Sequence, residues 1–253
     1  MTTTANRPIS TVVRAIAVLN VLAESSGELG TNEIARRAGI NVSTASRLLA
    51  TLAADELVRR TPDTGRYSLG LRLVQLGNAA LSRVDLRDVA RPHLIALTEV
   101  TGETTTLSVP SELVTITVDF VQSPSSVRSV AQTGRPSASH ATATGKVFLA
   151  HGGRLADGPL LPYTRHTITD RQALAADVEL VAERGWAQAV GEREMEMNAI
   201  AAPVLDPAGR LVAILGLQGP AGRFTSDAMA AAVPHLIEHA EALHPGRQGR
   251  AVG

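Results

Sequence analysis

The chain has 253 residues, 44% hydrophobic but only 2% aromatic, with no Cys and with 24 basic side chains against 24 acidic ones. That length suits one small and one medium domain with cores of Ala, Leu, Val and Ile, and the missing Cys excludes disulfides and thiolate metal sites. No apolar run reaches the roughly 18 residues of a membrane span, and the opening MTTTANRP has no apolar signal segment, so a soluble cytosolic protein without a membrane partner is expected.

Residues 1–7 read as a loose tail. Val12, Ile16, Leu19 and Leu22 then mark an amphipathic helix from about Ser10 to Ala23, the third wall of a small three-helix core. A short helix beginning at Thr31 turns Ile34, Ala35 and Ala38 inward, and Gly39 ends it where a left-handed backbone is tolerated. Asn41 or Ser43 can cap the next helix, whose buried stripe is Ala45, Leu48, Leu49 and Leu52. Ser43, Thr44, Ser46 and Arg47 then face solvent at its N-terminal end, the positions that a recognition helix offers to a major groove. Residues 57–60 and 66–69 flank Pro62-Asp63-Thr64-Gly65, which has hairpin turn chemistry, and Arg59, Arg60 and Arg66 make that hairpin cationic.

This order reads as a winged helix-turn-helix over residues 8–70, for which double-stranded DNA is the expected partner. Arg47 is expected on guanine or phosphate, and Arg60 and Tyr67 should set the wing on the backbone. Thr31 and Arg36 add contacts from the preceding helix, where one of Arg36 and Arg37 serves only to solvate it. Charge agrees. Residues 1–72 hold nine Arg against six acids, net +3, and the remainder holds 15 cations against 18 anions, net −3, so attraction to DNA is local to the first domain.

Residues 71–88 read as a linker helix with Leu71, Val74, Leu81 and Val84 on one side, a stripe that fits either a dimer contact or burial within its own chain. In 89–243, stretches rich in β-branched residues predict antiparallel strands at Thr104–Val109, Leu113–Val121, Val127–Gln132, Trp186–Val190, Ile200–Leu205 and Arg210–Gln218. Helices are predicted at His140–Ala150, after the capping-box pattern Thr169-Asp170-Arg171-Gln172, and along Met229, Val233, Leu236, Ala240 and Leu243. Residues 244–253 are tail. The whole is α+β, with a six-stranded antiparallel sheet flanked by helices.

Other chemistries fit less well. His235, Glu238 and His239 match the H-x-x-E-H zinc pattern, but no third ligand follows, which leaves a solvated helix face and no metal or cofactor. Gly145-Lys146 lacks the remaining residues of a phosphate loop, and Lys146, the only lysine, fits a surface salt bridge. Ser139, His140 and Asp119 form a hydrolytic triad only on paper, because the G-x-S-x-G elbow is missing. A hydrolase is therefore a remote alternative, and no catalytic residue is expected.

The chain resembles the IclR-type bacterial transcription regulators from about Ile9 to Leu243. The segments that carry the resemblance are STASRLLATL (43–52), YSLGLRLVQLG (67–77), SHATATGKVFLA (139–150), RGWAQAVGERE (184–194), IAAPVLD (200–206) and LQGPAGRF (217–224). It implies a C-terminal GAF-like effector domain and homodimers or homotetramers that bind double-stranded operator DNA, most often as repressors. For relatives that sense small 2-oxo acids, it also implies a ligand held by helix-start amides, here Ala143, Thr144 and Gly145. The completing side chains fall at Ala189, Ala199, Gly216 and Gln218, three of which cannot hydrogen-bond through a side chain. A larger, less polar effector is therefore expected, aromatic or acyl, with Thr144, Gln218 and Glu192 fixing its polar end. A vestigial pocket in a DNA-binding oligomer is the alternative.

Overall fold

The computed structural model describes residues 9–81, 86–129 and 131–243, with side chains 78–81 outside the description. Both expected tails, and the junction positions Val84 and Asp85, lie outside it as well. The chain divides into two compact units, Met1–Val84 and Asp85–Gly253.

In the first unit, α1 (Ser10–Ala23), α2 (Thr31–Arg37) and α3 (Val42–Ala54) enclose a core that includes Val18, Leu22, Ile34, Leu49 and Val58. Gly39 adopts φ 65° after α2, a conformation that a Cβ would strain. Of the two capping candidates, Asn41 caps α3: its Oδ1 accepts the Thr44 amide at 2.8 Å and the Ser43 hydroxyl at 2.9 Å. Ala45, Leu48, Leu49 and Leu52 are buried as their spacing predicts. The wing is β1 (Val58–Arg60) paired antiparallel with β2 (Tyr67–Leu69), with Gly65 at φ 65° in the turn.

One helix departs in part from expectation. Leu22 is buried and Leu19 packs on the core as expected, but Val12 and Ile16 are 53% and 51% exposed, and Val18 and Val21 take the inward positions beside Leu22. The helix carries apolar residues on more than one side, so periodicity alone does not select the inward face. In α4 (Arg72–Leu81), Val74 and Leu76 are also exposed.

The second unit is built on an antiparallel sheet in the order β5-β4-β3-β8-β7-β6. Its strands are β3 (Thr104–Pro110), β4 (Thr115–Val121), β5 (Pro136–Ser137), β6 (Ala187–Val190), β7 (Met197–Leu205) and β8 (Leu211–Pro220). Six strands were expected and the sheet has six, but the described residues of the stretch predicted at Val127–Gln132, from which Val130 is left out, form none of them, and the short Pro136–Ser137 segment takes the edge beside β4. The Ser129 carbonyl accepts from the Thr104 hydroxyl of β3 at 3.2 Å, a side-chain bond in place of a backbone ladder bond.

Helices cover both faces of the sheet. α6 (Ala143–Ala150) and α7 (Arg171–Arg184) pack over Ala187, Ala189, Ala201 and Ile214. Side chains alternate along a strand, so the fully buried Leu215 and Leu217 face the other side, where α5 (Leu86–Thr101) and α8 (Ser226–Ala242) lie. α7 is capped by Asp170, whose carboxylate accepts the Ala173 amide at 2.7 Å, one residue beyond the Thr169 start of the predicted capping box.

Candidate functional site

In the first unit, α3 presents Ser43, Ser46 and Arg47 to solvent, with Thr44 half-buried. Arg60 projects from the wing, while Tyr67, opposite it in register, is half-buried against the core. Thr31 opens α2. Arg36 is not a free cation: Glu33 takes its Nη2 at 2.6 Å and its Nε at 3.1 Å, and also takes Arg37 Nε at 2.6 Å. The two guanidiniums hold the Glu33 carboxyl down at about 2.

In the second unit a cavity of about 370 Å3 opens between α6, the sheet and the β6–β7 loop. Seven of the eight expected effector residues line it: Ala143, Thr144, Ala189, Glu192, Ala199, Gly216 and Gln218. Gly145 does not. Its amide donates to the Thr142 hydroxyl at 3.1 Å, capping α6, and a Cβ there would fall 2.4 Å from the Ser139 backbone. Its missing side chain therefore serves the close approach of α6 to Ser139. Among the described residues, the amides of Ala143 and Thr144 make no hydrogen bond and remain available to an anion.

Gly216 gives the ligand less room than its size suggests. A Cβ there would meet Thr106 Oγ1 at 2.7 Å and Thr144 Cγ2 at 3.3 Å, so neighbouring side chains already occupy that space. Gln218 is engaged too, its Nε2 donating to Ser129 Oγ at 2.6 Å.

The lining is also richer in polar groups than the effector motifs suggested. Thr106, Ser108 and Thr117 contribute from β3 and β4, and Arg128, Arg135 and Arg193 from loops. Ser137 Oγ lies 2.9 Å from Thr142 Oγ1 and 3.2 Å from Thr144 Oγ1, a chain of hydroxyls along one wall.

Behind the Ala143–Thr144 start of α6 sits Lys146, whose side chain is 2% exposed rather than on the surface as expected. Its ammonium donates to Glu192 Oε1 at 2.6 Å and to the Gln188 carbonyl at 3.1 Å. Asp177 Oδ2 lies 2.8 Å away, an ion pair without hydrogen-bond alignment. Burial pushes the Glu192 carboxyl up, opposed by Lys146. One cation thus ties the β6–β7 loop and α7 to the helix whose first amides line the cavity.

The residues of the rival chemistries do not assemble. Ser139 Oγ donates to the Leu113 carbonyl at 2.9 Å, His140 Nε2 lies 2.9 Å from the Leu161 carbonyl, and Asp119 pairs with Arg91 at 2.8 Å. His239 is half-buried rather than on a solvated face, its Nδ1 2.9 Å from Nδ1 of His93. No three potential ligands gather around a metal position among the described residues, and none of the described helices is long and apolar enough to cross a membrane.

Comparison with known proteins decides the family. The pattern described as the IclR helix-turn-helix domain matches residues 11–62, and that of the bacterial transcriptional regulator IclR C-terminal matches residues 78–244. The chain belongs to the IclR family of bacterial transcription regulators. It is 34% identical to the HTH-type transcriptional regulator BhcR of Paracoccus denitrificans, over 94% of this chain and 87% of that one. It is 33% identical to the glycerol operon regulatory protein of Streptomyces griseus, over 87% and 89% respectively. An IclR homologue from Microbacterium hydrocarbonoxydans, solved in complex with 4-hydroxybenzoate, superposes with a TM-score of 0.80 at 26% identity, covering 92% of this chain and 97% of that one.

As an IclR-type regulator the protein is a ligand-responsive DNA-binding regulator of transcription. The helices, turn and wing of its first unit were legible in the sequence. Sequence reasoning missed the arginines and hydroxyls of the cavity wall, because loop positions and sheet-face assignments are tertiary facts. It did single out Lys146, and the polar Glu192 within a matching motif was the available signal that the lysine has a buried partner.

Proposed function

We propose that this IclR regulator represses a neighbouring metabolic operon from an inverted-repeat operator, and releases it when an acid larger than a small 2-oxo acid fills the cavity. The observation that carries this reading is the combination in one chain of an exposed recognition helix bearing Arg47 with a cavity of about 370 Å3 offering two open amides. A volume in the range of about 300–1,000 Å3 typical of small-molecule sites is far more than a three-carbon acid fills. The apolar wall of Ala189 and Ala199 suits an aromatic or acyl body, in keeping with the aromatic acid held by the Microbacterium hydrocarbonoxydans homologue.

Thr31, Arg36, Ser43, Thr44, Ser46, Arg47, Arg60 and Tyr67 form the proposed DNA face, with residues 8–70 as the DNA-binding domain, 71–88 as linker and 89–243 as the effector domain. The protein acts by binding rather than turnover, a reading supported by the separate engagements of Ser139, His140 and Asp119. It works in the cytoplasm, where its operator is.

Two-fold assembly, as a homodimer or homotetramer, is supported by exposed apolar side chains in the DNA-binding unit: Ile9, Val12, Val13 and Ile16 at and along α1, and Leu71 and Val74 at and within α4. Leu81 and Val84, the rest of the expected seam, fall outside the described side chains. In a fluorescence-anisotropy titration, Arg47→Ala should cost about 1–3 kcal/mol of operator affinity while the oligomer stays folded. Unchanged affinity would remove Arg47 from the interface.

A further inference from the structure

The second unit runs acidic overall, since residues 85–253 carry 14 cations against 18 anions, yet its cavity is ringed by guanidiniums. Arg128, Arg135 and Arg193 all line it. None has a strong carboxylate partner among the described residues. Arg128 Nη1 donates only to the Ser125 carbonyl at 3.2 Å, and the Arg193 guanidinium lies 3.8 Å over the Tyr163 ring. Arg135 Nη2 stands 3.8 Å from Glu194 Oε1, with both side chains about half exposed at 48% and 56%, a pair that water screens almost fully. The other acid of the lining, Glu192, is already held by Lys146 at 2.6 Å.

A single ligand carboxylate is served by the amides of Ala143 and Thr144, near the buried start of α6. The cations at the more exposed mouth are then left over. A planar guanidinium fork binds a second carboxylate well and an apolar tail poorly. We propose that the effector is a diacid, with one carboxylate on the α6 amides and a second anionic group at the mouth held by Arg128 and Arg193. This rests on the cavity being the effector site and adds the class of molecule that it selects.

The test pairs acids of equal length with one or two carboxylates, hexanoate against adipate and 4-methylbenzoate against terephthalate, titrated calorimetrically into the full chain at low salt. In at least one pair the diacid should bind about tenfold more tightly, the gain from one charge-assisted contact. Arg128→Gln and Arg193→Gln should each bring that ratio towards one, with circular dichroism showing that both variants fold. Equal or tighter binding of the monoacids overturns the diacid proposal and leaves the cavity as an acid site. A ratio that survives both substitutions overturns the assignment of these arginines. If no acid of either kind saturates, the acid-binding reading of the cavity falls as well.

Discussion

Replacing Lys146 with Met tests the buried tie behind the cavity. The substitution keeps an unbranched side chain but removes the cation that stands 2.6 Å from Glu192 and 2.8 Å from Asp177. Removing one partner of a buried ion pair costs about 3–5 kcal/mol, because the remaining charge stays desolvated. Asp177 is 23% exposed and recovers some hydration, whereas Glu192 at 10% recovers little, so most of the loss falls on Glu192.

The pH dependence follows from the same group. Burial already raises Glu192 above its ordinary 4.5, and Lys146 opposes that rise through charge and hydrogen bond, so the variant raises it further. A carboxyl raised in the folded state binds more protons there than when unfolded. Its relative stability is therefore present below 4.5 and is lost as pH climbs through the folded value. The Lys146→Met deficit should be largest near pH ~8 and shrink towards pH ~5, by about 1.4 kcal/mol for each pH unit that separates the carboxyl's folded value in the variant from that in the parent protein. Urea unfolding followed by Trp186, the only tryptophan in the chain, reports the second unit alone. A loss below about 1 kcal/mol at the alkaline end, or a deficit that grows on acidification, would refute a buried, stabilising Lys146.

Two further outcomes concern the first unit. Glu33→Gln frees Arg36 and Arg37 from their shared carboxylate, so the salt dependence of DNA binding should steepen by about one to two units as one or both reach phosphates; an unchanged slope would place both off the DNA. Ile16→Glu puts a charge in the exposed apolar stripe of α1 and should shift the protein towards monomer in light scattering, with weaker operator binding. A folded variant that keeps the wild-type oligomer would place the seam elsewhere.

What the sequence reveals depends on how local the deciding forces are. The Asn41 cap, the Gly39 turn, the Ala45-to-Leu52 stripe and the hairpin around Gly65 are each set within a few residues, so the helix-turn-helix and wing were legible. The face of α1 was legible only at Leu19 and Leu22, because it is chosen by α2 and α3 against it rather than by its own pattern. At Val127–Gln132, β-branched composition gave the wrong strand, because the Ser129 carbonyl is taken by Thr104 and the sheet edge passes to Pro136–Ser137. In the cavity, helix-start amides followed from motif order, whereas the Thr106, Ser108 and Thr117 hydroxyls depend on which sheet face α6 covers. Gly145 was expected to lend its amide to a ligand and Gly216 to leave it room. Their vacant Cβ positions instead lie against the Ser139 backbone and the Thr106 and Thr144 side chains.

The most direct test of regulated DNA binding is a nuclease footprint of the full chain on the DNA flanking its own gene, with and without adipate and terephthalate. The expected result is a protected inverted repeat that Arg47→Ala fails to protect and that at least one of the acids releases. Protection no stronger there than on unrelated DNA of equal length and salt would contradict a sequence-specific regulator.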